Sequence, residues 1–221
     1  VQHLVGTVKP LIAIISCKLP AHVQRVCEQY ATWIPLALAA GFNVEVFDGD
    51  RLHAPDGYAD GALKLQLVSR WALASGYTRI LFSDNDTYIR VKRFQIATED
   101  YAGLFCPLNH GGLTDAQKHH ATFDYAAGGA WWNSERAVKL LSTAPLYGDW
   151  AGDRWVGQAL GRGGVYLTRR NDFISIPGHH SPEEHSWTDA DATAIGDAAV
   201  VMQLSRPGDI LACHKTYEGE L

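Results

Sequence analysis

The chain is poor in cysteine, in charge and in long apolar runs. It has four cysteines, Cys17, Cys27, Cys106 and Cys213, and no two of them stand in C-x-x-C spacing. Cys17 and Cys213 adjoin apolar segments, which predicts buried reduced thiols and a reducing compartment. No apolar stretch reaches the length of a membrane span, and Val1-Gln2-His3 lacks the charged and apolar parts of a signal peptide. The expectation is a protein without a membrane span, cytoplasmic or otherwise soluble and intracellular, of bacterial or phage type. A targeting segment removed ahead of Val1 stays open. Charged residues make up 19% and the net charge is −5, which argues against a general polyanion binder, although Arg90, Lys92 and Arg93, or Arg169 and Arg170, could form a local basic patch. There are no internal repeats and no low-complexity tract.

What is present is a core. With 221 residues and 47% hydrophobic content, the chain suits one domain and disorder is not expected. Leu11 to Ser16 reads as a buried parallel strand. Val23, Val26, Cys27, Tyr30, Ile34 and Leu38 predict a helix over about 21–40, closed by Gly41. Asn43–Phe47 alternates as the next strand, which completes a βαβ unit. A helix is predicted over 61–75, a strand ending at Asp84, and short strands at 104–106, 128–132, 165–167 and 210–214. Helices are predicted over 135–143, capped by Ser134, and over 153–160. Residues 109–124 and 177–197 read as loops, the latter long and mobile. The pattern predicts an α/β fold with a mostly parallel sheet. Ligands of such folds bind beyond the strand C-termini, where Ser16, Asp48 and Asp84 all lie.

The stretch Arg79 to Ile89 carries the chemistry. The apolar run Ile80-Leu81-Phe82 delivers Asp84-Asn85-Asp86 to the end of a strand. Hard divalent cations take oxygen ligands, and a diphosphate needs such a cation, so Asp84 and Asp86 are candidate ligands for Mn²⁺ or Mg²⁺. Asp and Asn also suit plain turns.

In order along the chain, five further segments accompany this one: Ile12 to Lys18 followed by Ala31-Thr32-Trp33-Ile34; Phe47-Asp48-Gly49-Asp50; Tyr125 to Ala130 with its Gly128-Gly129 pair; Gly152 to Gly157; and Ile210 to His214. Together, from Leu11 to His214, the chain resembles the GT-A-fold, nucleotide-sugar-dependent glycosyltransferases, nearest to the Fringe and β1,3-glycosyltransferase group. The resemblance implies a single GT-A domain over 1–221, with a nucleotide-binding half (1–105) and an acceptor and catalytic half (106–221). It implies a UDP-sugar donor and transfer of a hexosyl or N-acetylhexosaminyl group with inversion.

The roles it implies fall residue by residue. Asp86, helped by Asp84, would hold the cation, with Asp84 alternatively meeting the ribose; Asn85 is the tolerated middle residue. His214 would complete the coordination sphere and Lys215 would pair with phosphate. Asp153 would be the base that takes the acceptor hydroxyl proton, with Asp149 as the other carboxylate at hand. Ser16, Lys18, Asp48 and Asp50 lie where the family grips the nucleotide, although Asp48-Gly49-Asp50 also suits a turn. Lys64 or Arg70 would reach the donor. Gly128 and Gly129 would admit the donor sugar close to the backbone, or mark a strand entry. Of Trp131 and Trp132, alternation sends one to the core and leaves one to stack on a sugar. His119-His120 and His179-His180 fit no common zinc spacing and read as solvated histidines. The Asn85-Asp86-Thr87 sequon reads as a chance match.

The chain shows neither the anchor nor the disulfides of eukaryotic members, and only Asp153 stands in the acidic segment. The acceptor is therefore left open among a glycan, a protein hydroxyl and a modified nucleic-acid hydroxyl. Two other classes compete. A nucleotidyltransferase would want a Gly-rich basic loop after the first strand, and Ser16-Cys17-Lys18-Leu19-Pro20 is not one. A non-catalytic sugar-nucleotide or glycan-binding module would not turn over its donor.

Overall fold

Alternation along the first strand sets up the whole architecture. Strand β1 (Pro10–Ile15) sends Leu11 and Ala13 into one apolar cluster and Ile12 and Ile14 into another. The computed structural model describes residues 8–107, 122–146, 151–175, 187–204 and 206–219. In it β1 is flanked in parallel by β2 (Asn43–Phe47) and β3 (Arg79–Asp84). Because both faces of β1 are covered, it reads as a continuous apolar run. Beyond β3 the sheet turns antiparallel through β6 (Tyr125–Ser134) and β5 (Tyr101–Cys106), and ends with β7 (Thr168–Arg169) parallel to β5. The order is β2-β1-β3-β6-β5-β7, and a second sheet joins β4 (Thr87–Ile89), β9 (Val201–Gln203) and β8 (Phe173–Ser175). The central sheet is thus mostly but not purely parallel. Strand β5 spans residue 105, where the two halves were divided.

Helix α1 (Pro20–Ala31) starts with proline in its first turn, where a missing N–H costs nothing. The single helix expected over 21–40 is two. Thr32 Oγ1 donates to Glu28 O at 2.7 Å, competing with the backbone, and Pro35 has no N–H to continue the ladder. The chain restarts as α2 (Trp33–Ala39). A short α3 (Gly49–Leu52) follows β2, and α4 (Gly61–Ala74) precedes β3. Helix α5 (Glu135–Thr143) is capped as expected, with Ser134 Oγ accepting from Ala137 N at 3.2 Å. Helix α6 (Gly152–Arg162) lies with α4 and α5 on one face of the sheet. The other face is covered by α1, α2, the small sheet and the last two helices.

Those last helices overturn two expectations, and a strand shifts a third. The strand expected at 210–214 is the middle of helix α8 (Asp209–Glu218), because a four-residue apolar run fits either period and Gly208 and Asp209 open a helix here. Residues 189–195, expected as loop, form α7, started by a full capping box between Thr188 and Asp191. The strand expected at 165–167 is β7, set at 168–169 by pairing to Ala102 and Gly103. Trp131 and Trp132 do point to opposite faces, but both are buried, so neither is left to stack on a sugar. Cys106 and Cys213 are buried, whereas Cys27 is exposed. Residues 108–121 and 176–186, with both histidine pairs, lie outside the described residues, as does Asp149. Among the described residues no helix is long and apolar enough to cross a membrane.

Helix α6 reaches the sheet through glycine. A Cβ on Gly157 would stand 2.5 Å from Tyr125 Cβ and 2.9 Å from Asp124 O. Gly157→Ala is therefore expected to destabilise the fold by about 1–3 kcal/mol, seen as a fall in Tm of roughly 2–10 °C in thermal denaturation.

Candidate functional site

The C-terminal edge of β3 gathers most of the singled-out residues. Asp84 ends β3 opposite Ile15 of β1, and β4 begins at Thr87, so Asn85 and Asp86 form a two-residue turn between strands of different sheets. Asp86 and Asn85 are buried and Asp84 is half-buried. The backbone holds the turn from several sides. Leu204 N donates to Asp86 O at 2.9 Å, and Thr87 Oγ1 donates to Gly129 O at 2.7 Å.

Gly129 sits in β6 next to Asp84 and gives its N–H to Asp84 Oδ2 at 3.2 Å. Its φ is +96°, and a Cβ there would come within 2.9 Å of Gln203 Cβ. Only glycine can put that N–H on the carboxylate. Gly128 precedes it in the same strand. Asn85 turns the other way: its Nδ2 lies 3.3 Å from Ser16 Oγ and 2.8 Å from His22 Nδ1. Both contacts, and the burial of Asn85, leave no room for a glycan on the sequon.

The two acids do not sit comfortably together. Burial pushes the pKa of Asp86 up, and the neighbouring charge of Asp84 pushes it further, against partial relief from Arg25 and a hydrogen bond from Gln203. Burial also raises Asp84; the Gly129 N–H opposes this and the charge of Asp153 adds to it. Asp153 is thus close enough to Asp84 to act on it. It lies in the first turn of α6, half-buried, where the helix dipole favours a carboxylate, and its Oδ1 accepts from Arg154 N at 2.7 Å. The cap position is Ala151, so Asp153 is not the N-cap. Arg154 Nε in turn donates to Tyr125 Oη at 3.3 Å. A close pair of carboxylates, one raising the pKa of the other, fits a hard divalent cation, which takes oxygen ligands and removes the repulsion.

His214 is not brought to this pair. It is buried on α8, with Nδ1 3.1 Å from Tyr88 Oη and the two rings edge to face. Burial lowers its pKa. Among the described residues no three His, Cys, Asp or Glu side chains gather as a metal group. Lys215 is exposed on the same helix.

The nucleotide-side residues form a clasp that hinges on Asp56, which carried no signal in the sequence. Asp56 accepts from Lys18 N at 2.7 Å, from Gly49 N at 3.0 Å and from the ammonium of Lys64. These hydrogen bonds hold its carboxyl below the usual range, although burial opposes them. Lys64 is buried and also donates to Ser16 O at 3.0 Å. Arg70 is tied instead to Ser142 O at 2.8 Å. Asp48 caps α3, accepting from Arg51 N at 2.9 Å. Asp50 is exposed and pairs with Lys18. Beside this clasp lies an open cleft of about 580 Å³ lined by Gly49, Asp50, His53, Ala54 and Pro55.

No protein-family model matches the chain, and no curated protein does. Solved structures do. One, described as a glycosyltransferase involved in the glycosylation of the major capsid of PBCV-1, superposes with a TM-score of 0.53 over 91% of this chain and 98% of its own, at 12% identity. The fold is a GT-A fold. At that identity the likeness shows the fold alone and does not reach to the Fringe group. Within the GT-A frame the acid pair, the Gly129 N–H, Asp153 and the Asp56 clasp all stand on one edge of the sheet, at or next to the ends of β1, β2 and β3.

The raised carboxyls set a stability test. Both titrate above their unfolded values, so the stability they confer is full below the ordinary carboxylate pKa and is lost as pH rises through the folded values. Asp86→Asn removes one charge of the pair. Without divalent cation it should raise Tm near pH 8 by about 2–8 °C and change it little near pH 5, measured by thermal denaturation in chelator.

Proposed function

We propose that this protein is a glycosyltransferase that moves a sugar from a nucleotide-sugar donor, read as a UDP-sugar, to an acceptor hydroxyl. The observation that carries the reading is the Asp84–Asp86 pair: half-buried and buried, repelling each other, and set at the end of a parallel strand of a GT-A sheet. The donor set suits Mn²⁺ or Mg²⁺ held by Asp84 and Asp86. When bound, such a cation neutralises the diphosphate and eases its departure, so no protein acid is needed at the leaving group.

The protein's own residues would do the rest. Asp153 takes the proton from the acceptor hydroxyl as its oxygen bonds to the anomeric carbon. The bond from that carbon to the phosphate oxygen breaks, and its electron pair leaves with the diphosphate. Attack opposite the leaving group inverts the anomeric centre. Asp153 would then need an ionised carboxylate, which its place in the first turn of α6 favours. The Gly129 N–H fixes Asp84. Ser16, Lys18, Asp50 and Lys215 are the groups within this reading for the nucleotide and phosphates. Lys64 and Asp48 serve it through the clasp and the α3 cap. His214 is left out of the ligand set because no three His, Cys, Asp or Glu side chains gather as a metal group among the described residues.

The neighbour's role in capsid glycosylation suits a glycan or protein acceptor. The net charge of −5 disfavours a nucleic-acid hydroxyl, since a phosphate backbone is drawn to basic surfaces.

The test is turnover. UDP-sugars are screened with Mn²⁺ for donor consumption that depends on added acceptor. Asp153→Asn should retain donor binding in calorimetry and lose at least about 100-fold in transfer rate. Near-normal transfer would remove Asp153 from the base role. No donor consumption with any acceptor class, with binding intact, would favour the binding-module reading, and consumption that ignores every acceptor class would make the protein a donor hydrolase instead.

A further inference from the structure

The turn that carries the acids is gripped from outside the central sheet, by one face of the first two helices. Gln29 Nε2 donates to Asp84 O at 3.2 Å and to Thr87 O at 2.9 Å, which uses both of its hydrogens on the two ends of the turn. Trp33 Nε1 donates to the same Thr87 O at 3.1 Å. At the start of α1, His22 reaches Asn85 in the middle of the turn. Residues 22 and 29 are seven apart and share one face of α1, and Trp33 opens α2 beside it. Every residue from Asp84 to Thr87 except Asp86 therefore has a hydrogen bond to this face, and Asp86 feels the charge of Arg25 from the same helix.

Gln29 and Trp33 are fully buried. Gln29 Oε1 is also buried and accepts no hydrogen bond among the described residues. An unsatisfied buried amide oxygen costs free energy that an apolar side chain of similar length would avoid. The residue is thus a poor choice for stability alone, and its amide is spent wholly on two carbonyls that bracket the acids.

We propose that Gln29, backed by Trp33, is a positioning residue for the acid pair. It pins the carbonyls of Asp84 and Thr87, fixes the backbone of the turn between them, and so presents the two carboxylates at the spacing a divalent cation requires. This rests on the reading that Asp84 and Asp86 hold such a cation. Small divalent ions demand near-ideal ligand geometry, so a loosened turn loses affinity even with both carboxylates present.

The test is Mn²⁺ titration of the metal-free full chain, read from the paramagnetic resonance signal of free Mn²⁺, with circular dichroism and Tm recorded for each variant. Gln29→Met keeps length and removes both hydrogen bonds; it is expected to weaken Mn²⁺ binding about 10-fold while the folded spectrum is kept. Trp33→Phe keeps the ring and removes one bond, and is expected to weaken binding by about 2–5-fold. If Gln29→Met does not fold, Trp33→Phe decides. Asp86→Asn is run beside them. If Asp86→Asn loses Mn²⁺ uptake while the folded Gln29→Met and Trp33→Phe proteins keep wild-type affinity, the positioning role is overturned and the cation site stands. If the wild type and Asp86→Asn take up Mn²⁺ alike, or neither does, the cation reading fails and this inference falls with it.

Discussion

Two carboxylates held against each other at the end of a buried strand are the constraint on which the rest of this structure depends. Burial raises the pKa of both, the charge of Asp84 raises that of Asp86 further, and the charge of Asp153 does the same to Asp84. Left alone, a two-residue turn would swing them apart. The fold prevents this with polar contacts that a purely apolar core would not need. Gly129 puts an N–H on Asp84, Leu204 holds the carbonyl of Asp86, and Gln29 and Trp33 hold the flanking carbonyls. The result is a concentration of carboxyl oxygens on the side of the sheet where α/β proteins bind ligands.

The surroundings divide between rigidity and access. On the nucleotide side, Asp56 ties the ends of β1 and β2 to the buried ammonium of Lys64, so the two strand ends cannot move independently. On the other side, α6 brings Asp153 to the same edge and is kept close to β6 by Gly157. Helix α1 joins the two sides to the C-terminal part of the chain: next to Gln29, the buried Glu28 accepts from Gly208 N at 2.7 Å, at the start of α8. A single helix thus sets the position of the acid turn and of the helix that carries His214.

Much of the frame was legible in the sequence because its signals are local. The apolar runs of β1 and β3, the alternation of β2, the cap at Ser134 and the glycine pair of β6 each appear within a few residues of chain. The Asp-x-Asp turn was legible for the same reason. What was hidden depends on long-range partners. Gln29 carried no signal and Trp33 only its place in the Thr32-Trp33 segment, until Thr87, more than fifty residues away, is seen beneath them. Asp56 lay in a stretch with no motif. The 210–214 segment misled because four apolar residues carry no period, and the helix shows itself only through its cap and its packing on α1 and β4.

The central claim is that the acid pair is a cation site serving a diphosphate, and a crystal structure grown with Mn²⁺ and UDP tests it most directly. The account predicts an anomalous peak bonded to carboxylate oxygens of Asp84 and Asp86 at about 2.0–2.3 Å, with diphosphate oxygens completing its shell. A peak bound away from both acids, or a diphosphate seated elsewhere with the pair still facing no cation, would contradict it.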